Sequence, residues 1–126
     1  MTETTSLSSN SFALVLALTL AGCASPAEFK CPAYQAGRPL STVVLYDGPP
    51  SEKADLIPDS SSGKGEQAVS SWDVGYIFEK GRTPYLVCSF AGLAASKNVT
   101  VKVEKKVARC VFRAASGTRP AEMTCK

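Results

Sequence analysis

Five cysteines in 126 residues constrain this chain more than any other feature. Four of them, Cys31, Cys88, Cys110 and Cys125, are spread through the body of the sequence, and the fifth, Cys23, directly follows a short apolar run. No two are arranged as C-x-x-C and the chain has no histidine. A zinc site therefore lacks its usual donors, and the commonest general base is missing. Four cysteines in a small exported domain predict two disulfides, with three connectivities open. A chain of this length makes one domain with a modest core, which such staples supplement.

The amino terminus gives the reason to expect export. Phe12 to Ala21 is an apolar stretch of about ten residues, too short for a spanning helix of roughly 20 residues but suited to the core of a signal peptide. Leu20-Ala21-Gly22-Cys23 then resembles the lipobox of bacterial lipoproteins, in which the Cys sulfur is acylated and cleavage precedes the Cys. This predicts a signal peptide over 1–22, lipidation at Cys23, a tether over 23–30 and a domain over 31–126. Several acyl chains, palmitate among them, anchor stably where one binds only reversibly. Ala24 rather than Asp after the Cys favours the outer membrane, facing the periplasm. The leader Met1–Ser11 has no Lys or Arg, unlike most export signals. A cleaved signal without lipid, leaving a soluble periplasmic protein, is the alternative.

Beyond the tether the patterning is β. Ser41–Tyr46 is rich in β-branched and aromatic residues and is closed off by Asp47-Gly48-Pro49-Pro50. Ser51–Leu56 fits a short helical turn, with Ser51 as N-cap and Glu52 at the positive end. Asp59–Ser71 reads as a long mobile loop of Ser, Gly and charge. Trp72, Val74, Tyr76 and Phe78 alternate as a strand face, predicted to be core, with Trp72 as an exposed binding anchor the other reading. A turn at Lys80-Gly81 would pair that strand with Pro84–Phe90, setting Tyr76 opposite Tyr85 and Val74 opposite Val87. Val99, Val101 and Val103 alternate next, then Ala108, Cys110 and Phe112. The expectation is an all-β fold: a small antiparallel meander closing as a sandwich or barrel.

The last hairpin bears on the disulfides. A turn on Gly117-Thr118 places Cys110 directly opposite Cys125, at about 5 Å between β carbons, close enough to bridge. That leaves Cys31 to Cys88.

Cys31-Pro32, the stretch Leu45-Tyr-Asp-Gly-Pro-Pro-Ser-Glu-Lys-Ala-Asp-Leu-Ile-Pro-Asp59, Trp72, Tyr85-Leu-Val-Cys-Ser-Phe-Ala-Gly92 and Cys110 together resemble a family of small exported bacterial proteins of unknown function. The resemblance covers about residues 31–125, and its specific part is the Asp-Gly-Pro-Pro to Pro-Asp stretch. Phe90 stands where the family pattern has Tyr. The resemblance implies an exported fold but no activity.

Charge is lopsided. Leu93–Lys126 holds eight bases and two acids, whereas Asp47–Asp73 holds six acids and two bases. The basic half would suggest nucleic acid in a cytoplasmic protein. On an exported chain it would meet anionic lipid, cell-wall polymer or an acidic protein, or simply keep strand edges solvated. The serines read as loop composition, and Asp47 and Asp59 sit where turns and caps use them. No enzyme, cofactor, metal or nucleic-acid partner is expected. The functional expectation is a periplasmic binding module, an inhibitor or immunity protein against a cell-wall-degrading enzyme. Its contacts would be Asp47, Glu52, Asp55 and Asp59, with Ser60–Gln67 closing over the bound surface. The alternative is a structural lipoprotein of envelope assembly or maintenance, binding another envelope protein.

Overall fold

The computed structural model describes residues 28–126. The expected signal peptide over 1–22, the acylated Cys23 and the tether up to residue 27 lie outside the described residues. Nine strands form two antiparallel sheets. They are β1 (Phe29–Lys30), β2 (Tyr34–Gln35), β3 (Arg38–Asp47), β4 (Ser60–Ser62), β5 (Val69–Asp73), β6 (Pro84–Phe90), β7 (Val99–Lys102), β8 (Arg109–Arg113) and β9 (Glu122–Cys125). One sheet has the order β1-β9-β8-β5-β4 and the other β2-β3-β6-β7. The sheets stack as a sandwich and do not close into a barrel. Phe29 and Lys30, expected in the tether, already pair with Cys125 and Thr124.

The chain is laid down as hairpins that alternate between sheets: β2–β3 in one, β4–β5 in the other, then β6–β7 and β8–β9. Neighbours across hairpins complete each sheet. The longest register joins β3 to β6, from Leu40↔Phe90 to Asp47↔Pro84, with a bulge between Leu40 and Thr42. The extra residue resets the alternation, so Leu40 and Leu45 both face the core although five positions apart. Leu86, Cys88 and Phe90 meet them from β6, and Trp72, Cys110, Met123 and Cys125 cover them from the opposite sheet.

Both disulfides form: Cys31–Cys88 and Cys110–Cys125. The second lies within the β8–β9 hairpin, where Cys110 pairs with Cys125 and the Ser116↔Arg119 bridge leaves Gly117-Thr118 as a two-residue turn. The first joins the end of β1 to β6, and so stitches one sheet to the other.

Three expectations are corrected. The Trp72–Phe78 strand and its hairpin with Pro84–Phe90 do not exist. The strand ends at Asp73, and Gly75–Glu79 forms a helix, α1. Helical winding buries Val74 and Ile77 completely; burying an Ile side chain is worth roughly 1.5–3 kcal/mol, and a strand would have turned Ile77 to the opposite face. Tyr85 and Val87 accordingly face Tyr46 and Val44 instead of Tyr76 and Val74. Second, Asp59–Ser71 is an ordered hairpin. Ser60 pairs with Ser71 and Ser61 with Ser70, and the hydroxyls of each pair hydrogen-bond at 2.8 and 3.2 Å. Third, the helical turn is shorter than expected. It is a 3-10 turn over Pro50–Glu52 without a side-chain cap, ended by Lys53 in the left-handed region.

Candidate functional site

The alternation between sheets gathers three crossovers at one end of the sandwich: Gly48–Asp59 from β3 to β4, Val74–Thr83 (containing α1) from β5 to β6, and Val103–Ala108 from β7 to β8. The four hairpin turns lie at the other end. Asp47, Glu52, Asp55 and Asp59 therefore all belong to the crossover end. The Gly63–Ala68 turn lies at the hairpin end, because β4 runs away from Asp59, so Ser60–Gln67 does not close over the acidic segment.

The segment 48–59 is held along its whole length. Asp47 N–H donates to Ala54 O at 2.9 Å, Gly48 N–H to Thr83 O at 3.0 Å, and Leu56 N–H to Leu45 O at 2.8 Å. Asp55 bridges back to Tyr46. The Trp72 indole N–H donates to Leu56 O at 3.1 Å, so the buried Trp supports the segment from beneath. Asp59 N–H donates to Ser71 O at 2.8 Å, and its carboxylate accepts the Asp73 N–H at 2.6 Å.

The four acids have different fates. Arg82, arriving on the next crossover, donates Nε–H to the Asp47 carboxylate at 2.8 Å and an Nη2–H to Asp47 O at 3.0 Å; the same Nη2 pairs with Glu52. Its hydrogen bonds to Asp47 and then Glu52 hold the guanidinium above its ordinary pKa. Gly48, at φ +95°, lies under this clamp: a Cβ there would meet the Arg82 guanidinium and the Glu52 carboxylate. Asp47 and Glu52 are thus occupied in shaping the segment, and Asp59 caps Asp73. Asp55 alone of the four is exposed with no ion pair or side-chain hydrogen bond among the described residues.

Exposure alternates along the segment. Leu56 packs against the core and Pro58 is half-buried, whereas Asp55, Ile57 and Asp59 stand out. Ile57 is 84% exposed, the most exposed large apolar side chain among the described residues. Tyr76, on α1, is 41% exposed, with the Lys80 ammonium 5.3 Å from its ring centre. Partial burial, and then the charges of Asp47 and Asp59, push its phenol pKa up. Tyr76, expected in the core from its place in the Trp72–Phe78 run, is thus partly in solvent. The signal for Ile57 was an apolar residue between two acids and ahead of a proline.

The basic residues do not gather into one patch. Lys105 and Lys106 lie on the β7–β8 crossover, Arg109 pairs with Asp73 at 3.1 Å, and Arg119 donates to Ala114 O at the hairpin end. A groove of about 680 Å³ runs over the outer face of the β1-β9-β8-β5-β4 sheet. Its charges are mixed, with Lys30, Arg109, Arg113 and Lys126 against Glu28, Asp73 and Glu122. It carries no arrangement of nucleophile and base. No cluster of metal-ligating side chains occurs among the described residues, and no helix there is long and apolar enough to cross a membrane.

Over residues 34–126 the chain matches the family described as type VI secretion system Tli immunity protein. The chain belongs to this family. The match begins at β2 and runs through the last strand, so it includes every strand except β1 and all three crossovers. Comparison with curated proteins and with solved structures finds no match. Membership in a Tli immunity family is consistent with a protective role. For an immunity protein the relevant chemistry is that of a contact surface.

Proposed function

We propose that this chain protects its cell by binding a secreted type VI effector through the crossover end, with Gly48–Asp59 at the centre of the contact. The observation that carries this reading is the bracing of that segment by main-chain hydrogen bonds, by Trp72 and by the Arg82 clamp. A surface already ordered loses little entropy on binding. The target is an effector hydrolase acting on the anionic material of the envelope, in the first instance a cell-wall-degrading enzyme. Such an enzyme gains from a basic cleft, and the acidic segment suits one. Acylation at Cys23 would hold the inhibitor at the outer membrane, on the periplasmic side where such an effector works.

The structure refines which charge to test. Reversing Glu52 would also break the Arg82 clamp, so its effect on binding would be mixed with a change of shape. Asp55→Lys leaves the clamp in place. With the type VI effector that this chain counters as the probe, Asp55→Lys should slow association by about tenfold at low salt and flatten its salt dependence. Lys105→Glu with Lys106→Glu should do much less. Dominance of the lysine changes, with none from Asp55, would move the interface to the basic crossover.

A further inference from the structure

We infer that Ile57 is the apolar anchor of the effector contact, seated in a partner pocket that is hydrophobic at its base and basic at its rim. The inference rests on the immunity reading above and names the chemistry of its interface.

A single exposed aliphatic side chain is ordinary and by itself implies nothing. Three features set Ile57 apart. The first is its rigidity. Its neighbour Leu56 is bonded through both main-chain groups, to Leu45 O at 2.8 Å and from the Trp72 indole at 3.1 Å. On the other side Pro58 restricts the backbone of Ile57 to extended conformations, and Asp59 is fixed to Ser71 and Asp73. The side chain is itself β-branched and stiff about χ1. Most exposed aliphatic groups sit on surfaces that lose freedom when bound; this one is presented already ordered.

The second feature is its position. At 84% exposure Ile57 projects from the segment, uncovered by any of the described residues. A projecting aliphatic group on a fixed backbone is what fills a pocket, and interface energy concentrates in such desolvated anchors.

The third feature identifies the occupant by charge. Asp55 and Asp59 flank Ile57 on the same exposed side, and no cation of this chain pairs with Asp55 among the described residues. Carboxylates beside an apolar plug repel an anionic lipid surface and favour a protein pocket edged by Lys or Arg. Tyr76, partly exposed on α1 within the neighbouring crossover, adds apolar surface to the same end of the sandwich.

The test is a competition between two strains that differ in this gene. The attacker carries the type VI apparatus with its effector. The recipient lacks the chromosomal gene and carries the full chain at native abundance, as wild type, Ile57→Asp, Ile57→Ala, Ile57→Val or Val44→Asp. Wild type, Ile57→Val and the Val44→Asp control, an exposed apolar position on β3, should protect equally. Loss of an interface anchor weakens binding by about 30-fold or more, so Ile57→Asp should cut recipient survival by at least about tenfold. Ile57→Ala, a truncation in solvent that leaves the core untouched, should follow it, with unchanged abundance and melting temperature. Full protection by Ile57→Asp or Ile57→Ala would overturn the inference and leave the immunity reading standing. Failure of the wild type to protect would overturn both. Retention of the Cys23→Ser chain on phosphatidylethanolamine–phosphatidylglycerol vesicles, lost on adding Ile57→Asp, would make lipid the occupant and also overturn it.

Discussion

Leu56 and Ile57 are adjacent and nearly alike in chemistry, yet one lies against the core and the other stands in solvent. Hydrophobicity cannot make that choice; hydrogen bonds do. Leu56 N–H is taken by Leu45 and Leu56 O by the Trp72 indole, and this turns the Leu56 side chain inward. Trp72 is therefore both a core residue and a support of the exposed segment. Trp72→Phe keeps most of the packing but removes the donor, leaving Leu56 O without its partner. The expected cost is about 1–2 kcal/mol in urea denaturation. Amide exchange at Leu56 and Asp59 should quicken, whereas exchange in β3 and β6 changes little. A loss spread evenly over the molecule would mean that the indole bond does not hold the segment. The acids teach a related lesson. Asp47, Glu52, Asp55 and Asp59 were all candidate contacts in the sequence, and the position of Arg82, 30 residues beyond Glu52, separates the clamped pair from Asp55, which has no ion pair among the described residues.

Among the elements, the last hairpin was the easiest to read. Gly117-Thr118 fits a tight turn, and once the turn is placed the register follows with no further choice, which is why the Cys110–Cys125 bond was foreseeable. The short run Trp72–Phe78 was misread because its apolar residues fit periods of both 2 and 3.6, and seven residues are too few to separate them. The serine hairpin was missed for a different reason. Ser60–Ser62 has no apolar face to announce a strand, and it pairs because β5 leaves that edge open. The two disulfides should differ in worth. Cys31 and Cys88 are 57 residues apart, Cys110 and Cys125 only 15. Chain entropy assigns about 4 kcal/mol to the first and about 3 kcal/mol to the second. Paired alanine substitutions, Cys31→Ala with Cys88→Ala or Cys110→Ala with Cys125→Ala, should lower the urea midpoint in that order. The reverse order would show that linking the two sheets matters less than fastening one hairpin.

For the whole molecule, alternating hairpins between sheets sorts the connections, with crossovers at one end and turns at the other. The described chain also begins at the crossover end, since Phe29 lies opposite Cys125 and Lys126 bonds to Arg109. If Cys23 is acylated, only four residues lie between it and Glu28, and the five steps reach about 17 Å fully extended. Ile57 would then work close to the membrane surface. Cys23→Ser should abolish incorporation of labelled fatty acid and move the chain from the membrane to the soluble envelope fraction. Protection should weaken through lost local concentration, with effector affinity in solution unchanged. An unlabelled wild type, fractionating like the variant, would remove the lipid anchor from the account.

Local chemistry determined what could be settled within a hairpin or across a few residues. It set the β character of the runs from Ser41 and Pro84, the turn at Gly117-Thr118, the pairing of Cys110 with Cys125 and, by exclusion, that of Cys31 with Cys88. It also singled out the Asp-Gly-Pro-Pro to Pro-Asp segment as the place to look. Tertiary structure decided whatever depends on distant partners competing for one surface. That is why β6 took β3 as its neighbour, why α1 wound up to bury Ile77, and why Arg82 claimed two of four acids. It is also why Ile57 stands in water: the core beneath it was already filled by Leu56 and Trp72, and main-chain hydrogen bonds on either side left its side chain no way in.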